Sequence, residues 1–69
     1  MDLDDEVRAA LRKDRKLPAN AIQIAVKNGI VYVKGNVSPR DRKHALELVR
    51  RVESVAAVID QTQVVGAET

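Results

Sequence analysis

Asn28-Gly29, set between Val26-Lys27 and Ile30-Val31, constrains this chain more than any other feature. Both residues tolerate positive φ, the demand of a two-residue type I′ hairpin turn at its two central positions. Before the turn, Ile22, Ile24 and Val26 alternate with Gln23, Ala25 and Lys27; after it, a second alternating run extends from Ile30 to Gly35. A two-residue loop fixes the register, so Lys27 should face Ile30, Val26 should face Val31, Ala25 Tyr32, Ile24 Val33, and Ile22 Gly35. One face of the hairpin is then wholly Ile, Val and Gly. The other carries Gln23, Ala25, Lys27, Ile30, Tyr32 and Lys34, the half-polar mixture of a sheet covered on one side only.

The rest of the chain supplies the cover. Leu3, Val7, Ala10 and Leu11 fall at i, i+4, i+7 and i+8, which predicts an amphipathic helix from about Leu3 to Arg15. Asp2, Asp4, Asp5 and Glu6 sit at its start and Arg12, Lys13, Arg15 and Lys16 at its end, so both ends complement the helix dipole. Pro18 stops it by excluding Leu17 from helical backbone angles. A second helix is expected from Ser38 as N-cap, with Pro39 at N1 and Asp41 at N3, to about Val52. Its apolar stripe is Ala45, Leu46, Leu48, Val49 and Val52. Val55 to Val65 reads as a third strand; because Val55, Val58 and Ile59 break strict alternation, a kink or bulge near Ala56-Ala57 is expected. Gly66 to Thr69 is read as a tail.

These elements give an α+β fold of order αββαβ, with two helices packed on the Ile22, Ile24, Val26, Val31, Val33 face of a three-stranded mixed sheet. The second strand should be central, and its helical crossover to a parallel third strand right-handed. At 69 residues the chain is one domain, residues 1–69 with a core from about 4 to 65. A chain of this size buries only about 60% of its unfolded surface. The core must be aliphatic: eleven Val, nine Ala, five Leu and four Ile stand against one Tyr, with no Phe, Trp or Cys.

That composition also limits the chemistry. Without cysteine there is no disulfide, no thiolate nucleophile and no sulfur-ligated zinc. His44 is the sole histidine and lies at the edge of the second helix's stripe, with no base or orienting partner visible in the sequence, so it reads as a boundary residue. The acids at positions 2, 4, 5 and 6 are explained by the helix dipole, and no metal site is assigned. Gly29, Gly35 and Gly66 are too dispersed for a phosphate loop. No enzyme activity and no cofactor is expected. No apolar run approaches the ~18 residues of a membrane span, and the acidic N-terminus does not have the pattern of an export signal.

Binding is the class that remains. Arg8, Arg12, Arg15 and Lys16 run along the first helix, and Arg40, Arg42, Lys43 and Arg50, with Arg51, decorate the second. Asp4–Arg8 and Glu47–Arg51 pairs would neutralise part of these stripes, which otherwise read as solvated faces or as contacts for an anionic surface. Nucleic acid is disfavoured as that surface, because Tyr32 is the only ring on which a base could stack and no GxxG loop is present. A lipid headgroup layer needs only cations with some apolar neighbours.

The run Val26-Lys27-Asn28-Gly29-Ile30-Val31-Tyr32-Val33-Lys34-Gly35-Asn36-Val37, followed by Asp41-Arg42 and Ala45, then Val55 and Val58, resembles the BON domain, named for bacterial osmotic-shock and nodulation proteins. Asn28, Gly29 and Gly35 correspond to its structural turn positions. The resemblance extends from about Asp4 to Val65 and implies an αββαβ fold without catalytic activity. It also implies attachment to phospholipid membranes, typically in the periplasm or envelope of bacteria and linked to osmotic stress. Ser54 stands where the family usually has glycine, Asp60 where it usually has asparagine, and Thr62 where it usually has an aliphatic residue. The functional expectation is a module that binds anionic phospholipid through Arg8, Arg12, Arg15, Lys16, Arg40, Arg42, Lys43 and Arg50. The alternative is a protein-interaction module that docks a partner through its open sheet face, where Ala25, Ile30 and Tyr32 lie, or through a strand edge; nucleic-acid binding ranks third.

Overall fold

The computed structural model describes residues 2–65, with Ala19 described by its backbone alone, so the tail read at Gly66–Thr69 lies outside the described residues. Asn28 (φ 53°) and Gly29 (φ 81°) both take positive φ. They join strands β1 (Gln23–Lys27) and β2 (Ile30–Val37). The pairing is antiparallel in the expected register from Lys27↔Ile30 to Ile24↔Val33, continued by Gln23↔Lys34.

The expected Ile22↔Gly35 pair does not form as part of this ladder. Residues Ala19–Ala21 instead make a 3-10 turn, closed by the Ala21 N–H on the Pro18 carbonyl at 2.8 Å. That turn lays its backbone directly on Gly35, which has φ +139°; a Cβ built there would sit 2.0 Å from the Ala21 carbonyl oxygen. Gly35 is therefore required twice over, for its backbone angle and for the close approach.

Helix α1 (Leu3–Lys13) buries Val7 and Leu11, and its first turn carries Asp4, Asp5 and Glu6. It ends before the expected Arg15 because Asp14 leaves helical angles, at φ −90° and ψ 106°, and its carboxylate accepts the Lys16 N–H at 2.9 Å. Such Asx turns compete with helix continuation. Helix α2 (Pro39–Arg50) begins as predicted, with the Ser38 hydroxyl accepting the Asp41 N–H at 3.1 Å. It stops short of Val52, and the chain turns through Val52 N–H on Val49 O and Val55 N–H on Val52 O, both 3.1 Å.

Strand β3 (Ala57–Val64) starts only after that turn, and it runs parallel to β2 without interruption from Ile30↔Ala57 to Val37↔Val64. The broken alternation at Val55 thus has a different cause from the expected bulge: Val55 belongs to the turn and not to the strand. The sheet order is β1-β2-β3, so β2 is central. The architecture is αββαβ, α+β, with a mixed three-stranded sheet.

Both helices lie on the face that carries Ile24, Val31 and Val33. α1 packs on β1 and α2, and α2 on β2 and β3. Val7, Val31, Val33 and Val49 are fully buried, joined by Leu11, Leu17, Ile24, Ala45 and Leu46 in one cluster, with Ile22 and Val26 partly buried against it. Among the described residues no polar side chain is buried.

Candidate anionic-surface site

Two segments that the sequence separates by more than twenty residues meet on the helix side of the molecule. The turn after α1 carries Lys16 to the first three turns of α2, where Arg40, Asp41, Lys43, His44 and Glu47 complete the lining of an open cleft of ≈ 540 Å³. Beside it, a second recess of ≈ 390 Å³ is lined by Pro39, Arg42, Lys43, Leu46, Glu47 and Arg50. Lys43 and Glu47 are shared between the two. Arg8 and Arg12 lie elsewhere, lining a smaller recess between α1 and β1 with Ile22 and Ile24. Arg15 is exposed in the turn after α1 and lines none of these recesses.

The eight basic candidates therefore divide. Lys16, Arg40 and Lys43 converge on one cleft; Arg42 and Arg50 border its neighbour; Arg8, Arg12 and Arg15 stand apart. Two of the eight are engaged inside the fold. Arg8 pairs with Asp4, as expected, and also donates to the Ile24 carbonyl at 3.2 Å, strapping α1 to β1. Arg42 pairs with Asp60 of β3 at 3.0 Å. The expected Glu47–Arg51 pair is not among the ion pairs of the described residues; the Arg51 N–H instead bonds the Glu47 backbone carbonyl at 3.2 Å.

His44 has the partner that the sequence did not reveal. Its Nε2 meets the Asp14 carboxylate, thirty positions away in the chain, and this contact ties the turn after α1 to α2 at the mouth of the cleft. The hydrogen bond from His44, then that from the Lys16 N–H, holds the Asp14 carboxyl below its ordinary 3.8. Asp60 is lowered likewise, first by the Thr62 hydroxyl at 2.6 Å and the Thr62 N–H at 2.9 Å, then by Arg42. The two positions at which β3 departs from the family pattern, Asp60 and Thr62, are thus one hydrogen-bonded unit. The i, i+2 spacing of Asp60 and Thr62 could have suggested it; the long-range His44–Asp14 and Arg42–Asp60 contacts had no local signal.

A pH dependence follows. Both carboxyls bind protons less readily folded than unfolded, so their stabilisation is fully present above 3.8 and is lost as pH falls through the lowered folded values. Chemical denaturation followed from about pH 5 down to about pH 2 should show an acid loss of stability that is shallower in an Asp14→Asn, Asp60→Asn double variant. Equal acid slopes in the two proteins would contradict it.

The opposite side of the molecule has a different character. Strand alternation places Gln23, Ala25, Lys27, Ile30, Tyr32, Lys34, Asn36, Ala57, Ile59, Gln61 and Gln63 on the uncovered face. It contains no carboxylate, and Ala25, Tyr32 and Ile59, which is 41% exposed, form an apolar row across its middle. No three His, Asp or Glu side chains of the described residues are grouped so as to hold a metal ion. No helix of the described residues is long and apolar enough to cross a membrane.

The αββαβ order and the three-stranded mixed sheet covered by two helices define a small α+β module. The chain belongs to the BON domain family, whose model matches residues 2–66. This is a family of non-catalytic binding domains. A search of curated proteins finds no match to the chain.

Proposed function

We propose that this BON domain attaches to anionic phospholipid surfaces through the cationic side formed by the turn after α1 and the outer side of α2. The observation that carries this reading is the convergence of Lys16 with Arg40 and Lys43 on one open cleft, with Arg50 bordering the next. Cations drawn from separate parts of the chain and held on one side can engage several headgroup phosphates together, at about 1 kcal/mol each near an anionic leaflet. Asp41 and Glu47 on the same rim moderate the field, so affinity rests on the sum of several contacts and not on one tight pocket. Such a module would tether a larger protein to the bacterial envelope.

The test is co-sedimentation with vesicles of phosphatidylglycerol and phosphatidylcholine. Binding is expected at low ionic strength and should weaken steeply once the screening length falls to about 10 Å at 0.1 M salt. No binding at low salt would overturn the reading, as would binding to pure phosphatidylcholine with equal strength. A second reading, docking of a protein on the acid-free sheet face, is favoured by the Ala25–Tyr32–Ile59 row.

A further inference from the structure

The two edges of the sheet are not alike. β1 is a five-residue edge that ends in Lys27, and its Ile24 carbonyl accepts a hydrogen bond from Arg8. β3 is an eight-residue edge, Ala57–Val64, with no Lys, Pro or Gly and no bulge in its pairing with β2. Short length, lysine, proline, bulges and inward-pointing charges are the usual devices that keep an edge from pairing with another chain, and of these β3 has only the last. Asp60 is the strand's only charge, and it turns to the helix side, where Arg42 neutralises it.

The backbone groups on that edge can be assigned. The Val65 N–H bonds the Val37 carbonyl at 2.8 Å, so within β3 the odd-numbered residues direct their backbone groups toward β2, whereas Ala56, ahead of the strand, places its N–H on the Gly29 carbonyl. By alternation, those of Val58, Asp60, Thr62 and Val64 point outward. The Thr62 N–H agrees, being taken by the Asp60 side chain and not by β2.

We infer that β3 is a homodimerisation edge, at which two copies pair their third strands antiparallel about a two-fold axis into one continuous six-stranded sheet. Residues directly opposite in an antiparallel pair share a face, so the axis must pass through a residue position. An axis at Asp60 would set two carboxylates against each other. An axis at Gln61 sets Gln61 against Gln61 of the second copy, Asp60 against Thr62 and Val58 against Val64, with the outward-directed residues facing one another as the hydrogen bonds require. In that register the carbonyl of the second copy replaces the Asp60 carboxylate on the Thr62 N–H, while Asp60 keeps Arg42. The axis runs perpendicular to the sheet, so both pairs of helices lie on the same side.

The chain has no cysteine, which makes the register directly testable. Position 61 forms a non-hydrogen-bonded pair across the axis, with Cα atoms about 4.5 Å apart, within the span of a disulfide. Position 63 faces Ile59 instead. Under mild oxidation the Gln61→Cys variant should become covalent dimer while Gln63→Cys stays largely uncrosslinked. Sedimentation equilibrium of the unmodified chain up to millimolar concentration should show the mass double, and Gln61→Lys, which opposes two ammonium groups at an exposed position, should abolish that doubling with an unchanged circular dichroism spectrum. A monomer mass at every concentration, equal crosslinking at 61 and 63, or a Gln61→Lys chain that still dimerises would overturn the proposal.

Discussion

Replacing Gly35 by alanine is expected to leave much of the domain unfolded at ambient temperature. At φ +139° an L-residue is strained whatever surrounds it, and here the new methyl group would also meet the Ala21 carbonyl oxygen at 2.0 Å. The obstacle is backbone, held by the 3-10 turn that leads into β1, so no side-chain rotation relieves it. A non-glycine residue in such a region costs about 1–3 kcal/mol from strain alone. The clash adds to that, and a domain of this size has roughly 3–5 kcal/mol in hand. Thermal unfolding followed by circular dichroism should show a fall of more than about 10 °C, or no cooperative transition at all. The comparison is Gly29→Ala, at φ +81°, where the new Cβ would meet only the Ala56 methyl at 3.4 Å. That variant should lose about 1 kcal/mol. A Gly35→Ala melt within a few degrees of the parent would contradict the account of the Ala21–Gly35 contact.

The second large effect concerns binding. Reversing the three cations that meet at the cleft, Lys16→Glu, Arg40→Glu and Lys43→Glu together, removes about 3 kcal/mol of headgroup attraction before any repulsion is counted. Affinity for phosphatidylglycerol-containing vesicles should therefore drop at least ~100-fold. All three side chains are exposed, so the fold should survive, as circular dichroism would verify. Lys27→Glu with Lys34→Glu, on the open sheet face, is the matching control and should leave vesicle binding within a few-fold of the parent. Loss of binding in the control, with retention in the triple variant, would move the lipid contact to the other side of the molecule.

What the sequence discloses here is what short-range physics decides. Asn28-Gly29 sets two residues at positive φ, and from that point the register of five pairs follows. Ser38-Pro39 starts a helix because its cap is complete within four residues. Strand alternation likewise places the apolar face of Ile24, Val31 and Val33 against the helices. Local sequence carries no signal where the deciding partner is distant. α1 ends at Lys13 because the Asp14 carboxylate turns onto the Lys16 N–H, and Asp14 is held there by His44 from the other helix. Val55 looks like a strand residue until the turn from Val49 claims it, with the Ala56 N–H bonding the Gly29 carbonyl at 2.8 Å. The basic stripes are visible along the chain, but their division into a converged set and strapped residues such as Arg8 is a property of the tertiary fold.

The most direct test of phospholipid attachment is an amide-resolved one: nuclear magnetic resonance spectra of the chain, titrated with phosphatidylglycerol-containing bicelles at low salt. Shifts and line broadening are expected to concentrate at residues 14–17 and 40–50 and to reverse when salt is added. Perturbation confined to residues 23–36 and 57–63, or a spectrum unchanged at saturating lipid, would contradict it.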